Sequence, residues 1–166
     1  MPSYNCHVYG DHIDTDRIIA GKYTKTLDFK SLAIHALEDL DPSFSTSVRH
    51  GDFLVAGDNF GCGSSREQAP LALKHTGIQA VIAQSFARIF YRNAINVGLR
   101  LLEIPDHKIT SESQLILIED QGEVHDQTYS TIYQIQPLPP IMAKILGAGG
   151  LVPYLREHQS YEGHTL

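Results

Sequence analysis

Cysteine is scarce in this 166-residue chain: there are two, Cys6 and Cys62, and neither belongs to a Cys-x-x-Cys pair. That argues against a disulfide framework and for a reducing, cytoplasmic location. An iron–sulfur cluster takes three or four thiolates, so this chain cannot hold one alone. The nine histidines are scattered, with no His-x-x-x-His or His-Glu-x-x-His spacing, so no metal site is expected on the chain. Basic runs and stripes are missing, and net charge is -6, which speaks against nucleic acid as a partner. No apolar stretch approaches membrane-spanning length, so no membrane partner is expected. Residues 1–8 show neither a basic n-region nor an apolar h-region, so no secretory signal is expected. At this length one domain over 1–166 is the default, with a core from about 4 to 158 and a polar, disordered tail at 159–166.

What stands out is the segment Gly57-Asp-Asn-Phe-Gly-Cys-Gly-Ser-Ser-Arg66. It follows the apolar run Phe53–Ala56 and precedes a helical pattern from Glu67 to His75, in which Pro70 belongs to the first turn. Glycines, a serine pair and an arginine thus stand where a strand passes into a helix. Backbone N–H groups gather at such a place, and an anion is readily held there. The segment is neither a P-loop, since no Lys-Ser/Thr closes it, nor a Gly-x-Ser-x-Gly elbow, nor a Gly-x-Gly-x-x-Gly fingerprint. Two readings remain open from the residues alone. In one the serines merely cap the helix; in the other the loop binds an anion beside a reactive hydroxyl.

The surrounding pattern suggests α/β architecture. Tyr4–Tyr9, Phe53–Ala56, Ile78–Ala83 and Leu99–Ile104 read as strands. Helices are expected over Phe29–Leu40, Glu67–His75 and Phe86–Asn96, the last capped by Ser85 and ended by Gly98. This alternation points to a parallel core. Residues 10–26 read as functional loop. Leu115–Ile118 and Thr128–Ile135 read as further strands, and Ile141–Leu146 and Leu151–His158 as closing helices.

Asp58–Glu67, then Gln79–Ile89, Asn93 and Gly98-Leu99, together with Asp14-Thr-Asp-Arg-Ile-Ile-Ala-Gly21 upstream, resemble the swivel domain of the aconitase superfamily. The resemblance runs from about residue 10 to 104, with a weaker echo at Gly149–Tyr154. It is closest to the small subunits of two-subunit hydro-lyases, those of 3-isopropylmalate dehydratase and homoaconitase. The fold implied is an aconitase-type swivel domain: a mixed or parallel β core in β/β/α layers, flanked by helices. The activity implied is dehydration and rehydration of a 2-hydroxy di- or tricarboxylate, with isopropylmalate foremost. A homoaconitase or a methylmalate- or dimethylmalate-type dehydratase subunit is the alternative, and a stand-alone anion-binding module is the rival outside that family. The partner implied is a large subunit carrying a [4Fe–4S] cluster, without which this chain is inactive.

By the same resemblance Ser64 is the base, acting as an alkoxide. An unassisted serine is far too weak, so Arg66 and the loop amides must lower its pKa. Ser65 matches a position that supports the developing anion, and Gly63 is a candidate substrate contact. Arg66 matches a substrate-carboxylate ligand, for which a bidentate guanidinium suits better than lysine. Asp16 matches an acid that pairs with a histidine of the large subunit; a solvated loop acid is its other reading, and Asp14 is a weaker candidate. Tyr23-Thr-Lys-Thr26 occupies the place of the substrate-discriminating loop, so Tyr23, Lys25 and Thr26 are candidate substrate contacts. There Lys25 either meets an extra carboxylate or is a solvated surface lysine. Thr24 and Gln68 depart from the residues common in relatives. Arg88 reads as structural, a salt bridge or a loop brace, and Cys62 as a packing residue.

Overall fold

The computed structural model describes residues 1–158; the tail from 159 to 166, expected to be disordered, lies outside the described residues. Four short strands pair in parallel: β1 (Cys6–Val8), β2 (Phe53–Val55), β3 (Ala80–Ala83) and β4 (Leu101–Glu103). They lie in the spatial order β1-β2-β3-β4. Sequence order and spatial order thus advance together. Crossovers of one hand then return every connecting helix to the same face of the sheet. Those helices are α1 (Thr15–Ile18), α2 (Phe29–Ile34), α3 (Phe44–Ser47), α4 (Gln68–His75) and α5 (Arg88–Val97).

The register Cys6–Phe53–Ala80 sorts side chains between the two faces. Leu54, Val81 and Leu101 pack against Ile18, Leu32, Phe44, Leu73 and Phe90 from the helices. Phe53, Val55, Ala80 and Ile82 face the other way, onto Leu115 and Val124. The second set belongs to an antiparallel sheet of β5 (Leu115–Ile118), β6 (Glu123–Asp126) and β7 (Thr131–Gln134). The layers are therefore β/β/α. Burial on both sides explains why β2 and β3 are apolar without alternation. Helices α6 (Pro140–Gly147) and α7 (Leu151–His158) close on α5 through Ile95, Ile145 and Tyr154.

Several elements differ from the sequence expectation, the short helices α1 and α3 among them. Helix α2 stops at Ile34 rather than Leu40. The backbone of Leu37 turns to φ +57°, and its N–H donates to the Ile18 carbonyl at 2.8 Å instead of continuing the helix. That turn buries Leu37 completely. Ser85 does not cap α5, which begins at Arg88 behind Ala87 without a side-chain cap. The Ser85 carbonyl and hydroxyl are taken by the loop after β2. The strand expected over Thr128–Ile135 begins at Thr131, and β6 precedes it unforeseen. Its sequence looks polar because the inward Asp126 is fully buried. There it accepts hydrogen bonds from Ser113 Oγ at 2.6 Å and from the Thr128 and Tyr129 amides.

The loops leaving β1, β2 and β3 continue to pair above the sheet. On one flank Gly61 N–H donates to Ile13 O and Thr15 N–H to Cys62 O, each at 2.8 Å. On the other, Phe60 N–H donates to Ser85 O at 3.1 Å and Ala87 N–H to Phe60 O at 2.9 Å. Isolated parallel bridges Asp14–Cys62 and Phe60–Phe86 mark the two seams. The Gly57–Arg66 segment is thus the middle strand of a second tier, at the carboxyl ends of parallel strands where ligands of such sheets gather.

Gly61 fits this tier at φ +82°, and a Cβ there would lie 2.1 Å from Phe90 Cγ. Gly61→Ala combines a left-handed backbone with overpacking against α5. It is expected to destabilise the chain by about 3 kcal/mol, read as a lower urea midpoint. A midpoint equal to the wild type's would show that the tier yields freely.

Candidate active site

Residues 63–67 form no regular structure, and Gly63, Ser64 and Ser65 are exposed at the tip of the second tier. Gly63 holds φ +100°, which turns the chain outward. Neither serine caps the following helix: α4 has Glu67 at its N-cap and no side-chain cap bond. The amides of Ser65 and Arg66 find no acceptor among the described residues. Donors are thus left pointing at solvent where a capping role would have used them.

Ser64 is held from the side by Thr15. The Ser64 N–H donates to Thr15 Oγ1 at 3.0 Å, and the two hydroxyl oxygens lie 2.9 Å apart. Thr15 is 1% exposed, and Ser64 Oγ is the acceptor within its reach among the described residues. A buried hydroxyl donates where it can. The two hydroxyls share one hydrogen bond, and with the Thr15 O–H donating it favours negative charge on Ser64 Oγ.

Arg66 lies on the β1 side of the tip. Its Nη1 is 2.5 Å from Asp16 Oδ1, with the side chains 34% and 67% exposed. The charges pair, but the Nη1 hydrogens are not aimed at the carboxylate, so this buried nitrogen has no hydrogen-bond acceptor among the described residues. An ion pair this exposed contributes about 0–1 kcal/mol to stability. It orients the guanidinium without consuming its donors. Gly21 passes beside the same group: a Cβ there would be 3.4 Å from Nη1. Asp14 is occupied in structure, capping α1 by accepting from Arg17 N–H at 2.9 Å.

The 20s loop stands next to this group, tied to it by Gln68 Nε2, which donates to Thr24 O at 3.3 Å. Tyr23 stacks on His35 with ring centroids 3.7 Å apart. The Glu38 carboxylate accepting from its hydroxyl pushes the phenol pKa up. Thr26 Oγ1 accepts from Asp28 N–H at 3.0 Å, setting up α2. Tyr23 and Thr26 thus brace the loop, whereas Lys25 is exposed and enters no ion pair among the described residues. Leu27, next in the chain, is 90% exposed.

Some functional positions escaped the sequence reading. Thr15 stood in a quoted motif without a role; its partner is 49 residues away, so no local signal exists. Asn93 Nδ2 donates to Ser65 O at 2.9 Å and fixes the tip from α5. Arg88, expected as a salt bridge or brace, has neither an ion-pair nor a hydrogen-bond partner among the described residues. It lines, with Ile89 and Arg92, a cavity of about 560 Å³ whose other wall includes Gly63 and Ser64. Burial and then the Asp14 carboxylate push the Cys62 thiol up, so it stays protonated and unreactive near neutrality. Cys6 is pushed up to about 12 by burial between the sheets. No group of three His, Cys, Asp or Glu side chains among the described residues is arranged to hold a metal ion. These donors do not fit an iron–sulfur cluster.

A family model for the aconitase C-terminal domain matches residues 12–107. The 3-isopropylmalate dehydratase small subunit of Moorella thermoacetica is 48% identical over 152 residues, covering 90% of this chain and 92% of that protein. Small subunit 1 of the same enzyme from Archaeoglobus fulgidus is 52% identical over 149 residues, covering 89% and 92%. A crystal structure of 3-isopropylmalate dehydratase from Methanocaldococcus jannaschii is 44% identical. It superimposes with a TM-score of 0.91 over 95% of this chain and 94% of that one.

Thr15→Val keeps the shape of the side chain and strands the Ser64 amide. It is expected to lower stability by about 1–2 kcal/mol and to speed hydrogen exchange at Ser64, while Thr15→Ser stays close to wild type. Unchanged exchange in Thr15→Val would show that the bond does not form in solution.

Proposed function

The chain belongs to the aconitase C-terminal domain family, and from that membership we propose that it is the small subunit of a 3-isopropylmalate dehydratase, a hydro-lyase working in leucine biosynthesis. The reading is supported by relatives of that name that match nearly end to end at about half identity. The observation that carries the chemistry is the exposed tip. One hydroxyl, Ser64, shares a hydrogen bond with buried Thr15, beside two free amides and the Arg66 guanidinium, whose buried Nη1 has no acceptor among the described residues.

Moving a hydroxyl between adjacent carbons begins with loss of a proton α to a carboxylate, a poor acid. Ser64 Oγ, as an alkoxide, takes that proton. Its charge is favoured by the Thr15 hydroxyl and by the Arg66 guanidinium. The Ser65 and Arg66 amides, turned outward after Gly63, support the charge that develops on the substrate. Arg66 also offers its half-buried guanidinium to a substrate carboxylate, with Asp16 holding it and facing a histidine of the large subunit. The leaving hydroxide needs a Lewis acid, which a [4Fe–4S] cluster carried by the large subunit would supply; the described donors of this chain do not fit one. The described residues act together as one swivel domain in a cytoplasmic complex.

The substrate loop carries one apolar and one charged feature. Leu27 presents an uncovered apolar side chain, which suits a branched alkyl substituent. Exposed Lys25 suits an additional carboxylate, which is the observation favouring a homoaconitase-type substrate.

Co-expression with a large subunit, anaerobic cluster reconstitution and assay of alkene formation test the reading. Activity with isopropylmalate is expected only when both chains are present, and Ser64→Ala is expected to reduce kcat by at least about a thousandfold, the scale of a lost essential group. Lys25→Ala should leave isopropylmalate turnover within about threefold, under 1 kcal/mol of binding. Preference for homoaconitate over isopropylmalate would move the assignment to that enzyme. A stable two-chain complex whose turnover survives Ser64→Ala would remove Ser64 from the chemistry.

A further inference from the structure

We propose that Arg88, Ile89 and Arg92, the exposed face at the start of α5, form a docking surface for an acidic segment of the large subunit; this rests on the small-subunit reading above. Residues 88 and 92 are one helical turn apart and share a face. Phe90 and Ala94 are buried on the opposite side, so neither arginine is needed to pack α5.

The two guanidinium groups break the local rules of the chain. Like charges one turn apart repel, and Arg88, the first residue of α5, puts a cation in the first turn, where cations are disfavoured. That turn of α5 contains no acid to offset them. Neither arginine has an ion-pair or hydrogen-bond partner among the described residues. Acids are not in short supply: the chain has 19 Asp and Glu against 13 Lys and Arg. Two unpaired arginines flank Ile89, itself 54% exposed. Arginine beside an apolar side chain, with its charge unspent, is the composition of an interface centre rather than of a solvated helix face.

Position selects the partner. These three side chains and the Gly63–Ser64 tip line one cavity. Whatever covers the tip in the working enzyme also covers this face. The tip already offers Arg66 and free amides to a substrate anion on its other flank. A small dicarboxylate reaching across the cavity would leave Ile89 uncovered, whereas a segment of polypeptide with acidic side chains covers all three residues together.

The test measures association with the reconstituted large subunit by titration calorimetry at low and at moderate salt. Wild type, Ser64→Ala, Arg88→Glu/Arg92→Glu and the milder Arg88→Gln/Arg92→Gln are compared. Dissociation constants at least tenfold higher are expected for the charge-reversed chain. A flatter salt dependence is expected for the glutamine pair, with Ser64→Ala binding as wild type does. Thermal melts matching wild type are expected, because both sites are exposed. Wild-type affinity and salt dependence in both double variants would overturn the inference while leaving the enzyme reading intact. So would an unchanged dissociation constant combined with a raised KM for isopropylmalate, which would make the face a carboxylate subsite. A wild-type chain that binds no large subunit would overturn the small-subunit reading itself, and this surface with it.

Discussion

The pairing of three loops above the parallel sheet is what the rest of the structure depends on. The Gly57–Arg66 segment must expose free N–H groups, so it cannot be a helix or an ordinary strand of its own. Fixing each of its residues costs about 1–2 kcal/mol of backbone entropy. Each ladder bond to Ile13, Thr15, Ser85 or Ala87 returns only about 0.5–1.5 kcal/mol. Hydrogen bonds alone therefore do not hold it. Phe60 is the anchor: it is 1% exposed and packs edge-on against Phe86 and Phe90. Its burial contributes roughly another 1.5–3 kcal/mol. The glycines on either side of Cys62 then let the chain pass over α5 and turn out at the tip.

Energies divide the molecule into a part that is held and a part that is offered. Polar groups that brace the scaffold are buried and saturated, as with Asp126, or Asp52, which accepts from His7, Asn5 and Arg49. At the tip Ser64 is exposed, and the Ser65 and Arg66 amides have no acceptor among the described residues. The Arg66–Asp16 pair is too exposed to matter for folding. Several local rules are broken together around the tip: free amides at residues 65 and 66, unpaired Arg88 and Arg92, uncovered Ile89. Violations gathered in one place mark function, since a stable scaffold has no use for them.

Much of this was legible in the chain. Fully buried parallel strands announce themselves as short apolar runs, which is why β2 and β3 were plain. The position of the Gly57–Arg66 loop followed from its neighbours. Elements whose form is decided at long range were not legible. Leu37 leaves its helix to donate to Ile18, and Ser85 leaves its capping position to serve Asn59 and Phe60. β6 hid behind an inward aspartate whose partners come from residues 113, 128 and 129. The Thr15–Ser64 contact joins two loops that no periodicity relates. In the 20s loop, Tyr23 and Thr26 are engaged in bracing it, which composition alone does not reveal.

On the small-subunit reading, exposure of the tip explains why this chain alone would be half of a catalyst. In water a serine hydroxyl stays protonated near neutrality, because solvent screens the Arg66 charge and competes for every donor around it. The same donors act far more strongly once water is excluded. Thr15 alone already meets that condition, being buried, and it keeps Ser64 oriented before any partner arrives. The remaining help, from Arg66 and the two amides, gains its strength only when another surface closes over residues 63–66. On the small-subunit reading, closure does two things in one event. It brings the substrate's acidic proton to Ser64, and it lowers the dielectric that would otherwise keep Ser64 from taking it.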